Sequence, residues 1–211
     1  MRKKKVPEVV VERMAVYLRI LSELDTADPE RYISSQELGD LAGVGAAQVR
    51  KDLALFGEFG KQGVGYQAQM LKEELRRIMN ADRPINVGLI GVGELGTALA
   101  RYNLRRVADD KDYPFRMAAL FDNNPAKIGR RVECLEIFPP EELPARVKEY
   151  KIKMMLITVP AAAAQEAADL TIKAGIKAIL NFAPAKLIVP PHVKLIQSDV
   201  SLQLHQLAFY L

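Results

Sequence analysis

The residues best placed to do chemistry are three glycines. Gly91-Val92-Gly93-Glu94-Leu95-Gly96 reads G-x-G-x-x-G, directly after the apolar run "INVGLI" and directly before a helical pattern. In that context the first glycine permits a tight turn and the second lets a pyrophosphate approach the backbone. The third lets helix and strand pack closely, and the free N–H groups of the helix N-terminus face the phosphates. Gly91 through Gly96 are therefore candidate dinucleotide-binding residues. A second candidate is Asp122, at the end of "FRMAALFD" and 26 residues beyond Gly96, against a usual ~20. A carboxylate there can accept both ribose hydroxyls of NAD and repel a 2′-phosphate. The same residue also starts the turn sequence "DNNP", so a turn role stays open. Arg130 and Arg131 could instead support a 2′-phosphate, which keeps NADP open.

Hydride transfer would need a proton donor near the nicotinamide. The two histidines are His192 in "PPHVK" and His205 near the end of the chain, and neither has an obvious catalytic context. No catalytic residue is assigned. An NAD-dependent oxidoreductase with an N-terminal accessory domain is the rival reading, and a CoA- or nucleotide-binding module acting in a complex is another.

The elements that must position these groups follow from the pattern. After residue 84, strands alternate with helices: "INVGLI", "FRMAALFD", "CLEIF", "KMMLITVP", "KAILNFAP" and "VKLIQ" are apolar runs, with helical stretches between most of them. That alternation predicts a Rossmann-type, doubly wound, mostly parallel sheet over residues 84–198. Ligands of such sheets bind at strand carboxyl ends. Thr158, Val159 and Pro160, and Asn181, Phe182 and Ala183, fall there. They are candidate cofactor contacts or plain loop residues.

Residues 1–83 precede the glycine motif and read differently. Val10, Met14, Tyr17, Leu21 and Leu24 recur with helical spacing. Ser34-Ser35-Gln36-Glu37 forms a capping box ahead of a short second helix. "GVG" at 43–45 makes a tight turn. A third helix begins near Ala46 without a hydroxyl cap. Val49, Leu53 and Phe56 share one face of it, while Ala47, Arg50, Lys51 and Ala54 share the other. Small alanines let a helix approach a groove while cations reach phosphates or guanine edges. "GEFGKQGVGY" then reads as a β-wing with Lys61 and Gln62 near its tip. A solvated surface helix followed by an ordinary hairpin would carry the same pattern, and the wing directly after the helix favours DNA. Gln48, Arg50, Lys51, Lys61 and Gln62 are the candidate DNA contacts. Gross charge does not help: residues 1–83 hold 14 basic against 13 acidic side chains.

Residues 199–211 form an apolar helical stretch with Val200, Leu204, Leu207 and Leu211 in register. It packs either on its own sheet or on a partner subunit. No apolar run reaches 18 residues, so no transmembrane helix is expected. Glu8 and Glu12 interrupt the basic N-terminus, so no signal peptide is expected. Cys134 is the single cysteine, which excludes an intrachain disulfide and suggests a reducing, cytoplasmic setting. With no Cys/His cluster, no metal site is expected.

A winged helix-turn-helix, a Rossmann-type sheet and an apolar terminal helix, in that order, resemble the redox-sensing transcriptional repressor family Rex. The resemblance rests on "QVRKDLALFGEFGKQGVGY" (48–66), "GVGELGTALARY" (91–102), "FDNNPAKIG" (121–129), "TVP" (158–160) and "GIKAILNFAP" (175–184). It implies a homodimer that binds double-stranded operator DNA when NADH is scarce and is released by NADH, with NADH and NAD+ as effectors. It implies a terminal helix, residues 199–211, exchanged between subunits. It also implies an interdomain network from Arg19 in "YLRIL", Tyr102 in "ARYN" and Asp199 in "QSDVSL", with Tyr102 also reaching the cofactor. Read without the resemblance, these are a surface helix cation, a helix-face aromatic and an N-cap. The chain departs from the family in "ARYNLRRV", which lacks a Tyr-Pro-Gly type sequence, and in a turn made less acidic by Asn123-Asn124.

Overall fold

The structure is a computed structural model that describes residues 6–24, 28, 30–61 and 63–211. The chain divides into two compact units, Met1–Arg83 and Pro84–Leu211.

The first unit contains helix α1 (Glu8–Glu23), strand β1 (Tyr32–Ile33), helices α2 (Ser35–Ala42) and α3 (Ala46–Ala54), strand β2 (Tyr66–Gln67) and helix α4 (Ala68–Ile78). The helical spacing in α1 does what it predicts: Val10, Met14, Tyr17 and Leu21 are buried. They meet Leu38 of α2, Val49 and Leu53 of α3, and Leu71 and Leu75 of α4 in one core. Burial of such apolar side chains is the main force holding small domains together. Ser34 caps α2, its hydroxyl accepting the Glu37 N–H at 3.0 Å. Gly43 ends α2 in the left-handed region at φ 70°, which turns the chain toward α3. Gly45 precedes α3 with no side-chain cap, as the sequence indicates.

Behind α3 the chain forms the expected wing. Lys61 and Gly65 exchange backbone hydrogen bonds of 3.2 Å, and β2 pairs antiparallel with β1. The wing therefore has its partner strand on the far side of α2 and α3 in sequence, a pairing that two-residue strands do not advertise. Lys61 brackets the turn rather than capping its tip. Gln62 lies outside the described residues.

The second unit holds β3 (Ile85–Ile90), α5 (Glu94–Asp109), β4 (Phe115–Phe121), β5 (Arg131–Val132), β6 (Leu135–Phe138), α6 (Leu143–Glu149), β7 (Met154–Ile157), α7 (Ala164–Lys173), β8 (Ala178–Asn181), β9 (Lys194–Gln197) and α8 (Val200–Ala208). Seven strands form one sheet in the order β5-β6-β4-β3-β7-β8-β9. All neighbours are parallel except β5 and β6, a short antiparallel hairpin at one edge. The strands after β3 build outward on one side through β4 and β6. The chain then returns to place β7 on the other side of β3. That reversal puts the topological switch point at the carboxyl ends of β3 and β7, where open α/β sheets bind ligands. A bulge at Ala118 shifts the β3–β4 register. Asn103 of α5 compensates, its carbonyl oxygen accepting the Met117 N–H at 2.8 Å.

Helix α8 settles the first of its two alternatives. Every residue from Val200 to Leu211 is exposed within the single chain, so this helix does not pack on its own sheet.

Candidate functional site

The glycine loop joins β3 to α5 at the switch point. Gly91 has φ 101°, and a Cβ there would lie 2.7 Å from Val159 Cγ1 and 2.8 Å from the Thr158 carbonyl. At Gly96 a Cβ would lie 2.1 Å from the Gly91 carbonyl oxygen. Backbone packing alone explains both glycines. Gly93 is different. Its backbone is extended, φ −80° and ψ −161°, and a Cβ there would meet no atom of the chain within 4 Å. No packing contact among the described residues requires a glycine at the N-cap of α5. Helix α5 also opens with no side-chain cap, so its first N–H groups remain available to an anion. Val92 is buried, while Gly93, Glu94 and Leu95 are exposed.

Asp122 lies beside this loop and is 7% exposed. Its Oδ2 accepts the Val92 N–H at 2.8 Å, and its Oδ1 accepts the Asn124 N–H at 2.9 Å. The ammonium of Lys127 sits 3.1 Å from Oδ2 and donates to the Val92 carbonyl at 2.9 Å. Burial pushes the Asp122 carboxyl up, but hydrogen bonds from Asn124, Lys127 and Val92 outweigh it and hold the group below the usual carboxylate range. Asp122 thus builds the turn with Asn124, one of its two sequence alternatives, and also ties strand β4 to the glycine loop. Lys127 escaped the sequence reading. Its partner Val92 is 35 residues away, and only the fold brings them together.

Thr158, at the end of β7, donates its hydroxyl to the Gly91 carbonyl at 2.7 Å. Val159 is half-buried against the core and Pro160 is exposed. Asn181, at the end of β8, is fully buried. Its amide nitrogen reaches the carbonyls of Ala183 and Ala185 at 3.1 Å and Gln197 Oε1 at 2.8 Å, and its oxygen accepts the Ala183 N–H at 3.0 Å. The Asn181 side chain is therefore committed to its own loop. Ala183 is buried and Phe182 half-buried, the latter tied by its N–H to the Ile157 carbonyl at 2.8 Å. So Asp122 and Thr158 contact the glycine loop directly, and Phe182 reaches the β7 end beside it.

Of the residues of the expected interdomain network, Arg19 and Tyr102 are exposed and Asp199 is half-buried. Arg19 lies 3.8 Å from Glu23 on α1. Tyr102 is 57% exposed and sits two turns along α5 from the loop, about 12 Å at the helical rise. Asp199 caps α8, accepting the Ser201 N–H at 2.9 Å. Among the described residues no group of three His, Cys, Asp or Glu side chains could hold a metal ion. No helix among them is long and apolar enough to cross a membrane.

In the first unit, α2, the Gly43 turn and α3 form the helix-turn-helix. Ala47, Arg50, Lys51 and Ala54 are exposed on α3, and Val49 and Leu53 are buried, as the helical wheel predicts. Arg50 donates to the Ser35 hydroxyl at 2.8 Å. Asp52 breaks the pattern: it is charged, yet 1% exposed on the packing face. Arg13 of α1 grips it with two hydrogen bonds of 2.6 and 2.7 Å, Tyr17 donates at 2.9 Å, and Gln48 donates at 2.7 Å. Burial pushes the Asp52 carboxyl up, and hydrogen bonds from Arg13, Gln48 and Tyr17 bring it below its ordinary range. A carboxylate can only accept, so Gln48 must turn its amide nitrogen inward. Sequence reasoning placed Tyr17 on the apolar face of the first helix but missed Arg13, Asp52 and the hydrogen bond from Tyr17 to Asp52. The available signal was an acid between Val49 and Leu53 on an apolar face.

A winged helix-turn-helix unit ahead of a Rossmann-type nucleotide unit defines a DNA-binding regulator. A family described as "Putative DNA-binding protein N-terminus" matches residues 5–54, and one described as "CoA binding domain" matches residues 82–185. The redox-sensing transcriptional repressor Rex of Pelotomaculum thermopropionicum is 43% identical, covering 100% of this chain and 96% of its own. That of Thermus thermophilus is 45% identical, covering 97% and 93%. The chain belongs to the Rex family of redox-sensing transcriptional repressors and is a regulator, not an enzyme. Among solved structures, RSP, a Rex-family repressor, superposes with a TM-score of 0.83 at 35% identity over 98% of this chain and 95% of its own. RSP in complex with β-NAD+ and operator DNA gives 0.87 at 36%, over 98% and 93%. RSP has also been solved with β-NADH.

Proposed function

We propose that this protein represses transcription as a homodimer bound to operator DNA and lets go when NADH binds. The observation that carries the nucleotide half is Gly93. Its missing Cβ has no neighbour within 4 Å among the described residues, which supports a glycine that serves a ligand. Gly91–Gly96 would cradle the pyrophosphate of NADH or NAD+, Asp122 would take the adenosine ribose, and 158–160 with 181–183 would line the nicotinamide end. In the first unit, Gln48, Arg50 and Lys51 would enter the major groove, while Lys61 and Gln62 would follow the backbone beside it. On this reading residues 1–83 bind DNA, residues 84–198 bind nucleotide, and residues 199–211 are exchanged between subunits. The setting is the cytoplasm, where both ligands reside.

NAD+ and NADH share every adenosine and phosphate group, so only the nicotinamide, cationic or neutral, can distinguish them. Tyr102, Asp199 and Arg19 are the proposed sensors of that difference, with a hinge in residues 80–84. The reading is tested by operator binding with no nucleotide, with saturating NADH, with saturating NAD+ and with CoA. NADH should weaken operator binding by a typical coupling of roughly 5- to 150-fold, and operator must weaken NADH binding by the same factor. Equal effects of NADH and NAD+ defeat it, because a ligand that binds both states equally shifts nothing.

A further inference from the structure

Gln48 is the first polar side chain of α3, half-buried and one turn ahead of Asp52. The hydrogen bonds on Asp52 fall two to each oxygen. Oδ2 takes Arg13 Nε and the Tyr17 hydroxyl, and Oδ1 takes Arg13 Nη2 and Gln48 Nε2. A carboxylate offers about four acceptor positions, so these are filled. Asp52 cannot turn without breaking the grip of Arg13, and it pins the Gln48 amide by one of its two Nε2 hydrogens, at 2.7 Å. An amide turned over would set its oxygen against the carboxylate, acceptor to acceptor, so one orientation is selected. The Gln48 oxygen and its second amide hydrogen have no partner among the described residues. They leave one acceptor and one donor on adjacent atoms of a planar group whose position is fixed before DNA arrives.

We infer that Asp52 is a positioning residue for base recognition: it holds the Gln48 amide so that the glutamine reads an adenine, accepting from N6 and donating to N7 in the major groove. This rests on α3 lying in that groove, where a helix-turn-helix sets the first residues of its second helix on base edges. Adenine alone presents a donor beside an acceptor there. Guanine presents two acceptors and would meet the Gln48 oxygen with its own, cytosine presents a donor, and thymine presents an acceptor and a methyl group. An unanchored glutamine samples many rotamers and both amide orientations, and loses that freedom on binding. The Arg13–Asp52 pair removes the loss in advance, so a buried ion pair that touches no DNA sharpens the choice of one base pair.

The test uses duplexes that the full chain selects from a random-sequence pool. Affinities are then measured for every single-pair change, and for each adenine replaced by 7-deazaadenine, which lacks the N7 acceptor. With wild type, one A·T pair per half-site loses roughly tenfold on change to any other pair, and loses affinity on the deaza replacement. Gln48→Ala levels the four pairs at that position and leaves discrimination elsewhere intact. Arg13→Met with Asp52→Leu keeps Gln48 and removes its anchor. It loses most of the discrimination at the same position, while the other positions and the salt dependence of binding stay as in wild type. A merely structural defect would weaken every position alike. Gln48→Ala keeps the Arg13–Asp52 pair, so its result does not depend on how the double variant folds. Full discrimination at that pair in the double variant overturns the positioning role. A Gln48→Ala protein that levels no pair, or levels one other than A·T, overturns the adenine assignment. A wild type that selects no sequence from the pool removes the DNA-binding reading itself.

Discussion

Arg13 and Asp52 join helix α1 to the exposed-face helix α3 through a two-point contact, 2.6 Å from Nε and 2.7 Å from Nη2. Asp52 is 1% exposed, Arg13 20%. Removing one partner of such a pair is far worse than replacing both, because the survivor is left charged and buried. Arg13→Ala should therefore lower the stability of the first unit by about 3–5 kcal/mol. Arg13→Met combined with Asp52→Leu should recover most of that loss. Calorimetric melting of the full chain reads both. The double variant also frees Gln48, whose amide nitrogen Asp52 holds at 2.7 Å. Its operator preference should relax even though it folds.

The same cluster dictates a pH response. Burial, then the bond to Asp52, push the Tyr17 phenol up from 10.0 to about 12. A group whose folded value is raised contributes stability that is complete below its unfolded value and lost as pH rises through the folded one. The Tyr17 contribution is thus full below pH 10 and disappears between pH 10 and about 12. Asp52 runs oppositely. Its folded value is lowered, so its contribution is present above the ordinary carboxylate range and is lost as pH falls below it. Melting temperatures of wild type and Tyr17→Phe should converge between pH 10 and 12. Parallel curves across that window would contradict the assignment.

What was legible in the sequence were the features that repeat. Val10, Met14, Tyr17 and Leu21 announce α1 because helical packing imposes a period, and the strand–glycine–helix succession at 85–100 announces the tight turn from β3 into α5 because close backbone packing at Gly91 and Gly96 excludes a Cβ. What was not legible were contacts that only the fold creates. Lys127 reaches Val92, Arg13 reaches Asp52, and β1 pairs with β2, Ile33 facing Tyr66 across the whole of α2 and α3. Each joins positions with no shared local period. Asp52 even opposes the local pattern, since its partners sit on α1.

The three glycines of the loop should separate folding from binding. Gly96→Ala forces a Cβ to 2.1 Å from the Gly91 carbonyl and should cost about 1–3 kcal/mol or more in stability. A Cβ at Gly93 meets no atom of the described residues within 4 Å, so Gly93→Val has room. It should melt like wild type and fail to bind NADH in calorimetry. Wild-type NADH affinity in Gly93→Val would show that no pyrophosphate lies against that backbone.

Asp122→Asn tests the hold on the loop itself. The amide can accept from one side only, so it cannot keep Val92, Asn124 and Lys127 together as the carboxylate does. NADH affinity should fall, and the residual binding should discriminate less against NADPH, because the negative charge is gone while the Lys127 ammonium stays. Paired titrations with the two nucleotides measure this, and a wider gap between them than in wild type would reverse the assigned sign.

Helix α8 offers the last test. Leu202, Leu204 and Leu207 are 58%, 61% and 63% exposed, and Phe209 and Tyr210 are 84% and 80% exposed. An apolar patch of this kind at the end of a chain marks a protein–protein contact, and a closed dimer buries the same surface twice. A helix-turn-helix dimer also needs both subunits to place two recognition helices one helical turn of DNA apart. Deleting residues 199–211 should therefore abolish dimerisation and operator affinity together, while leaving the Gly91–Gly96 loop intact. Sedimentation gives the oligomeric state, and operator binding on the same sample gives the second readout. A truncated chain that still sediments as a dimer and still binds operator would assign the contact to another surface.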